Sequence, residues 1–292
     1  MVEVKRDGAF SVNSVGLGRK PFPLSLTVRE ADGCWQIIAS AAQADELIDV
    51  LLGSANDTVL VVDLETNSFL HEDFQQWRPS LIAAELGADC IVHPLGAWAS
   101  ATPGLGAEIL VLDLNSLPRL VDGSWSPFEL SLVDVPTVPT PAELDEIALV
   151  IGTAGFNEPV LPRIKGSRFW YSGHDDCYLA IQSTDPAMPA SVLSRLLALL
   201  AGSALVGADA GATESVLIPE PDIATMDRLI CESPHWIGVV AATSGTLATI
   251  HLSALPQPWR LGEGPPEHVD HTATLDLIRG TWRFVPPTGG VL

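Results

Sequence analysis

The chain has 292 residues, and its 36 acidic and 15 basic side chains give a formal net charge of −21. Such a surface repels nucleic-acid phosphates and anionic lipid headgroups, so we expect neither nucleic acid nor membrane as a partner, and we expect attraction to basic proteins. A hydrophobic content of 47% excludes wholesale disorder, because enough apolar side chains are present to fill a core.

The first half of the chain is predicted to be rich in strands. Alternating apolar residues predict strands at 10–15 and 24–28, and Asp32-Gly33 predicts a tight turn into a returning strand at 34–38. Leucines at helical spacing predict a helix over 47–52 that ends at Gly53. Short apolar runs predict further strands at 58–64, 90–92 and 109–112, and alternation predicts one at 128–133.

A proline-rich segment, 135–141, follows these strands. Its three prolines make a stiff, extended connector, because each fixes its own φ and disfavours helix at the residue before it. We therefore predict an N-terminal subdomain over 1–134, a connector over 135–141, a C-terminal subdomain over 142–285 and a flexible tail over 286–292. Thr140 and Glu143 predict a capping box at the start of the next helix.

The second half repeats the mixture of strands and helices. The patterns predict strands within 168–181, a buried helix from Pro189 to Gly202, a short helix capped by Asp222, and a hairpin from 236 to 252. The hairpin signals favour an α+β fold with largely antiparallel sheets packed against a few helices. The alternation of strands with helices leaves an α/β fold as the alternative.

The region from 170 to 178 has the densest group of chemically active side chains. A carboxylate beside an imidazole orients it for proton transfer, so His174 and Asp176 are candidate catalytic residues, with Cys177 as a candidate nucleophile. The same region is a candidate binding surface, which comprises Trp170, Tyr171, His174, Asp175, Asp176 and Tyr178. The alternative is a structural turn at Ser172-Gly173 whose polar side chains bond local backbone.

A second cluster, His268-Val269-Asp270-His271, has the spacing of a metal site. Two histidines separated by two residues, with an Asp between them, can ligate a metal where the backbone is turned, so His268, Asp270 and His271 are candidate metal ligands. The alternative is a solvated loop, because the cluster follows a Gly- and Pro-rich stretch. No dinucleotide fingerprint, P-loop or zinc signature is present in the sequence, and we predict no cofactor.

Three classes of function remain open. The acidity, the 8 tryptophans and the missing catalytic motifs favour a non-enzymatic binding protein, of the inhibitor or immunity type, that neutralises a basic partner protein. The first alternative is an enzyme that uses the His174 cluster, and the second is a structural or scaffold subunit. The chain could also form a homodimer.

The 4 cysteines form no CxxC pair and no export signal is apparent, so we expect a cytoplasmic protein with reduced thiols. The longest apolar stretch, 192–206, is interrupted, and we expect it not to span a bilayer.

Overall fold

The computed structural model describes residues 1–4, 24–40, 53, 55–62, 79–96, 108–117, 120, 131–154, 158–174, 178–208, 216–260, 263–264 and 266–286. Its strands are β1 (Val2–Val4), β2 (Leu24–Ala31), β3 (Cys34–Ser40), β4 (Thr58–Val62), β5 (Cys90–Pro94), β6 (Glu108–Asp113), β7 (Ser131–Val135), β8 (Phe169–His174), β9 (Tyr178–Ser183), β10 (Val216–Ile218), β11 (His235–Ser244), β12 (Leu247–Ala254), β13 (His271–Asp276) and β14 (Thr281–Val285). Its α-helices are α1 (Pro79–Glu85), α2 (Pro141–Thr153), α3 (Met188–Ala208) and α4 (Ile223–Glu232), with short 3₁₀ turns at Leu114–Ser116 and Leu161–Arg163.

The α+β prediction is confirmed. Every strand pair for which the structure gives a register is antiparallel. The predicted Asp32-Gly33 turn joins β2 to β3 with φ of 52° and 76°, the left-handed conformation that a two-residue hairpin turn requires. The strand predicted at 10–15, the helix predicted at 47–52 and most of the predicted tail lie outside the described residues.

The chain divides into two compact units. Unit 1 comprises Met1–Arg29, Ile37–Leu47 and Ala187–Leu292, and unit 2 comprises Glu30–Gln36 and Ile48–Pro186. This division does not coincide with the boundary that we predicted at 135–141, because the proline-rich segment lies inside unit 2. It joins β7 directly to α2, and both of these elements contribute side chains to a single core.

Unit 1 pairs its strands in the order β14-β13-β12-β11-β2, with β1 and β10 forming a separate ladder. Helix α3 runs to Ala208, so the prediction that it ends at Gly202 is wrong. Gly202 lies inside the helix because β1 and β10 pack against it there. A Cβ at this position would lie 2.6 Å from side-chain atoms of both Val4 and Ile218, so glycine permits a close approach between helix and ladder.

Helix α3 also differs from the sequence expectation in its length. Over residues 188–206 it is long and apolar enough to cross a membrane by length and composition, and 83% of this stretch is buried inside the protein. Core helices of globular proteins meet the same two criteria. Its described neighbours in unit 1 are α4, β1, β10, β11 and β12.

Unit 2 pairs its strands in the order β9-β8-β7-β4-β6-β5. Helix α2 packs across one face of this sheet through Leu144, Ala148 and Ile151, which recur at helical spacing and are buried. They join inward side chains of the strands, such as Leu60 and Val133, in one apolar core. This packing fixes the position of α2 and of the proline-rich segment before it, which together form part of the site described next.

Candidate functional site

A surface groove of about 350 Å³ lies within unit 2. Its volume is within the range of small-ligand sites, roughly 300–1,000 Å³. Three segments line it: the proline-rich segment from Val135 to Pro139, one stripe of α2, and residues 163–165. The wall formed by 163–165 belongs to a longer segment, residues 158–168, which we call the opposing wall.

The α2 side of the groove follows from the way this helix begins. The hydroxyl of Thr140 accepts a hydrogen bond from the N–H of Glu143 at 3.4 Å, and the carboxylate of Glu143 accepts one from the N–H of Thr140 at 2.7 Å. The predicted capping box is thus confirmed. The carboxylate of Glu143 also accepts a hydrogen bond from the hydroxyl of Thr140 at 2.7 Å, and the two bonds that it accepts from Thr140 lower the pKa of Glu143. The residues that face the groove, Glu143, Glu146, Ile147 and Val150, form a stripe at helical spacing beside the buried one.

A buried glutamine holds the N-terminal end of the opposing wall in place. The side-chain oxygen of Gln182, on β9, accepts hydrogen bonds from the N–H groups of Val160 and Leu161 at 2.7 and 3.2 Å. The side-chain nitrogen of Gln182 donates to the carbonyl of Glu158 at 2.6 Å. One buried side chain therefore satisfies three backbone groups of a segment that belongs to no strand.

A buried carboxylate holds the C-terminal end of the opposing wall in place. Asp134, on β7, is 0% exposed. Its Oδ1 accepts hydrogen bonds from the N–H groups of Arg168 and Phe169 at 2.5 and 2.8 Å, and its Oδ2 accepts from the N–H of Asn56 at 3.0 Å. Burial raises the pKa of Asp134, and the three backbone hydrogen bonds oppose that rise. Asp134 directly precedes the proline-rich segment and bonds the end of the opposing wall. Its side chain therefore positions these two sides of the groove.

Gly166 and Pro136 bring the same two sides into contact. Gly166 has φ of +83°, and a Cβ there would lie 2.7 Å from Cγ of Pro136. Both the backbone conformation and the close contact require glycine. The side-chain amide of Asn56 donates to the carbonyl of Gly166 at 3.2 Å. The groove therefore has its shape before any ligand binds.

The charges of the groove are divided between its walls. Glu143 and Glu146 lie on α2, and Arg163 and Lys165 lie on the opposing wall. Arg163 pairs with Glu158 at 3.3 Å. Glu146 and Lys165 are exposed, and their side chains make no hydrogen bond or ion pair in the part of the chain that the structure describes. Three apolar side chains also line the groove, and we call them its floor: Ile147 and Val150, which are half-buried, and Ile164, which is 4% exposed. The groove thus presents an apolar floor with an unpaired anion and an unpaired cation.

The cluster predicted at 170–178 lies elsewhere, on the β8–β9 hairpin. Trp170 and Tyr171 are 4% and 0% exposed, so these two rings pack inside unit 2 and do not offer a surface to a partner. The indole N–H of Trp170 is buried without a hydrogen-bond partner among the described residues. Backbone pairing extends to His174↔Tyr178, so Ser172-Gly173 is strand and the predicted turn does not occur there.

Asp175, Asp176 and Cys177 lie outside the described residues, as do the side chains of His174 and Tyr178. Their catalytic and binding roles stay predictions.

The three candidate metal ligands do not meet at one point: Nε2 of His268 lies 3.4 Å from Oδ2 of Asp270, but His271 has other partners. His271 bonds Glu232 at 2.6 Å and lies against the ring of Trp236, whereas His268 bonds the carbonyl of Ala254 at 3.0 Å. A carboxylate oxygen of Asp270 accepts the N–H of Ala254 at 2.8 Å. In the ranges that the structure describes, no group of three or more His, Cys, Asp or Glu side chains could hold a metal ion.

Sequence reasoning missed the groove. It interpreted the prolines as a domain boundary and Glu143 only as a capping residue. Asp134 and Gln182 belong to no motif, and their partners lie far away in the sequence. One signal for the groove was present in the sequence. A stiff proline-rich segment leads directly into a well-capped helix, and this fixes the direction of the segment and of the helix.

No protein family matches the chain, and comparisons with curated proteins and with solved structures returned no match.

Proposed function

We propose that the chain is a non-enzymatic binding protein that takes a basic partner protein, as an inhibitor or immunity protein does, and that the groove of unit 2 is part of its docking surface. The observation that carries the proposal is the preformed groove. Two buried polar side chains, Asp134 and Gln182, hold a surface segment in place. Each of them makes three hydrogen bonds to backbone groups, so the segment is already ordered and a partner would lose little free energy in ordering it.

The chemistry of the groove supports binding over catalysis. No His, Cys or Tyr is among the described residues that line it. The pKa of Glu143 is lowered, which makes its carboxylate a weaker base than a free one. An apolar floor flanked by charged groups is the arrangement of a recognition site, where the floor supplies affinity and the charges select and orient the partner.

Two features favour a basic protein as the partner. The formal net charge of −21 attracts cationic proteins over a distance and accelerates their association. The surface beside the groove is also partly apolar, because Val138 is 58% exposed and Leu149 is 49% exposed. Apolar patches with a polar rim are typical of protein-binding surfaces.

The test has two stages. Tagged protein is first used to capture partners from the lysate of its host at low and at high salt, and a captured protein is then purified and titrated against the chain. We expect saturable binding that weakens as salt increases. Glu146→Lys should slow association, whereas Asp227→Lys, which makes the same charge change on α4 of unit 1, should have a smaller effect.

Two results would count against the proposal. The first is that no purified basic protein binds saturably at low salt. The second is a mass that rises with concentration together with no binding of a different protein, which would favour the scaffold or homodimer alternative.

A further inference from the structure

From the geometry of the groove we infer that its occupant is an extended segment in which one aliphatic residue stands between a basic and an acidic residue. This inference rests on the proposed function and names the part of the partner that the groove accepts. It does not follow from the net charge, which would favour a uniformly basic segment.

The length of the groove limits the segment to about three residues. The α2 stripe runs from Glu143 to Val150, two helical turns that rise about 10 Å. Three residues in a polyproline II conformation cover about 9 Å, and their side chains point in three directions around the axis. Besides the proline-rich segment, the groove offers three faces, which are the α2 wall, the floor and the opposing wall. Three successive side chains can therefore each meet one face.

Each face has its own chemistry. The α2 wall presents the carboxylates of Glu143 and Glu146, which suit a basic side chain. The floor of Ile147, Val150 and Ile164 suits an aliphatic side chain. The opposing wall presents Lys165, which has no ion-pair partner among the described residues and suits a carboxylate.

The same arrangement disfavours two other occupants. A polybasic segment would place a cation against Lys165 and Arg163, and like charges in contact cost binding free energy. A segment that binds by strand addition needs a row of backbone donors and acceptors. The wall from Val135 to Pro139 has prolines at 136 and 139, which lack an N–H. Side chains therefore determine recognition, and the divided charges determine the direction in which the segment lies.

The experiment uses short capped peptides and the full chain. Three peptides share one polar framework and carry the cores Arg-Leu-Glu, Arg-Leu-Arg and Arg-Ser-Glu, and binding is measured by calorimetry and by backbone NMR shifts. We expect the first core to bind most tightly, because only it satisfies all three faces. Lys165→Gln should weaken its binding about two- to fivefold, as expected for an exposed ion pair. Lys165→Glu should reverse the preference, so that Arg-Leu-Arg binds more tightly than Arg-Leu-Glu.

Control variants separate the inference from the proposed function. Asp227→Lys should leave the order of the three peptides unchanged, and NMR shifts should be concentrated at α2 and at residues 163–165. The inference is overturned if Arg-Leu-Arg binds the unaltered chain as tightly as Arg-Leu-Glu, or if none of the peptides binds. If a purified basic partner nevertheless binds with full sensitivity to salt, the proposed function stands and the partner docks elsewhere. If the peptides bind in the expected order but no basic partner binds, the inference stands and the proposed function fails.

Discussion

Replacing Asp134 by alanine tests whether this carboxylate holds the walls of the groove together. Three backbone N–H groups, those of Asn56, Arg168 and Phe169, donate to it. Asp134→Ala leaves all three without their acceptor. Asp134→Asn preserves the shape and one acceptor oxygen, which can still serve Arg168 and Phe169. It also places an amide N–H₂ against the backbone and side-chain N–H groups of Asn56, which both donate to Oδ2 of Asp134.

The loss of stability expected for each variant depends on how deeply each N–H donor is buried. A buried donor without an acceptor costs about 1–3 kcal/mol. The hydrogen bond to Phe169 is buried, whereas those to Asn56 and Arg168 are only partly buried and water can replace the lost acceptor there. Removing a desolvated carboxylate recovers part of the loss. We expect a cost of about 3 kcal/mol for Asp134→Ala and about 1 kcal/mol for Asp134→Asn, compared with a total stability of about 5–15 kcal/mol for a typical protein.

Urea unfolding followed by circular dichroism gives these free energies. Amide hydrogen exchange at Arg168 and Phe169 localises the effect, since a chain of two compact units need not unfold in one step. Protection at these two amides should fall sharply in the alanine variant. The reasoning would be refuted by an alanine variant within about 1 kcal/mol of the unaltered chain with unchanged protection, or by Asp134→Asn being the more damaging of the two.

Two further predictions concern the same region. Because the pKa of Asp134 is raised above the ordinary 3.8, the folded state binds a proton that the unfolded state releases, so this group's contribution to the free energy of unfolding falls as pH rises from 3.8 through the raised pKa. The stability difference between the unaltered chain and Asp134→Asn, measured by urea unfolding across this interval, should therefore shrink as pH rises, and a constant difference would contradict the assignment. Gly166→Ala should cost about 2 kcal/mol, since it adds a clash with Pro136 to an unfavourable backbone conformation, whereas Gly245→Ala, with φ of +59° and no atom within 4 Å of the added Cβ, should cost about 1 kcal/mol. Equal costs in thermal unfolding would show that the contact with Pro136 is unimportant.

Local signals in the sequence predicted the local structure well. The Asp32-Gly33 turn and the Thr140 capping box each depend on residues within three positions of one another, and both are confirmed. The end of α3 at Gly202 was predicted from the same kind of rule and is wrong. The reason is long-range, because the missing Cβ makes room for side chains of β1 and β10.

The candidate groove could not be predicted, because its construction is long-range throughout. Asp134 bonds Asn56, which lies 78 positions earlier, and Phe169, which lies 35 positions later. Nothing in the local sequence of a strand distinguishes a buried Asp that holds three distant N–H groups from one at a strand end facing solvent. The proline-rich segment was recognised as stiff and extended, which is a local property. Its position inside one unit depends on contacts with residues such as Gly166 that only the fold brings together.

The way the chain alternates between its units has a consequence for its biosynthesis. A ribosome would complete the last residue of unit 2, Pro186, before it begins the longest segment of unit 1, Ala187–Leu292. Unit 2 could therefore fold while the nascent chain is still growing, whereas β2 would wait for its partner β11 until His235–Ser244 has been synthesised. Chaperones that shield exposed strands would have their longest opportunity at that N-terminal segment.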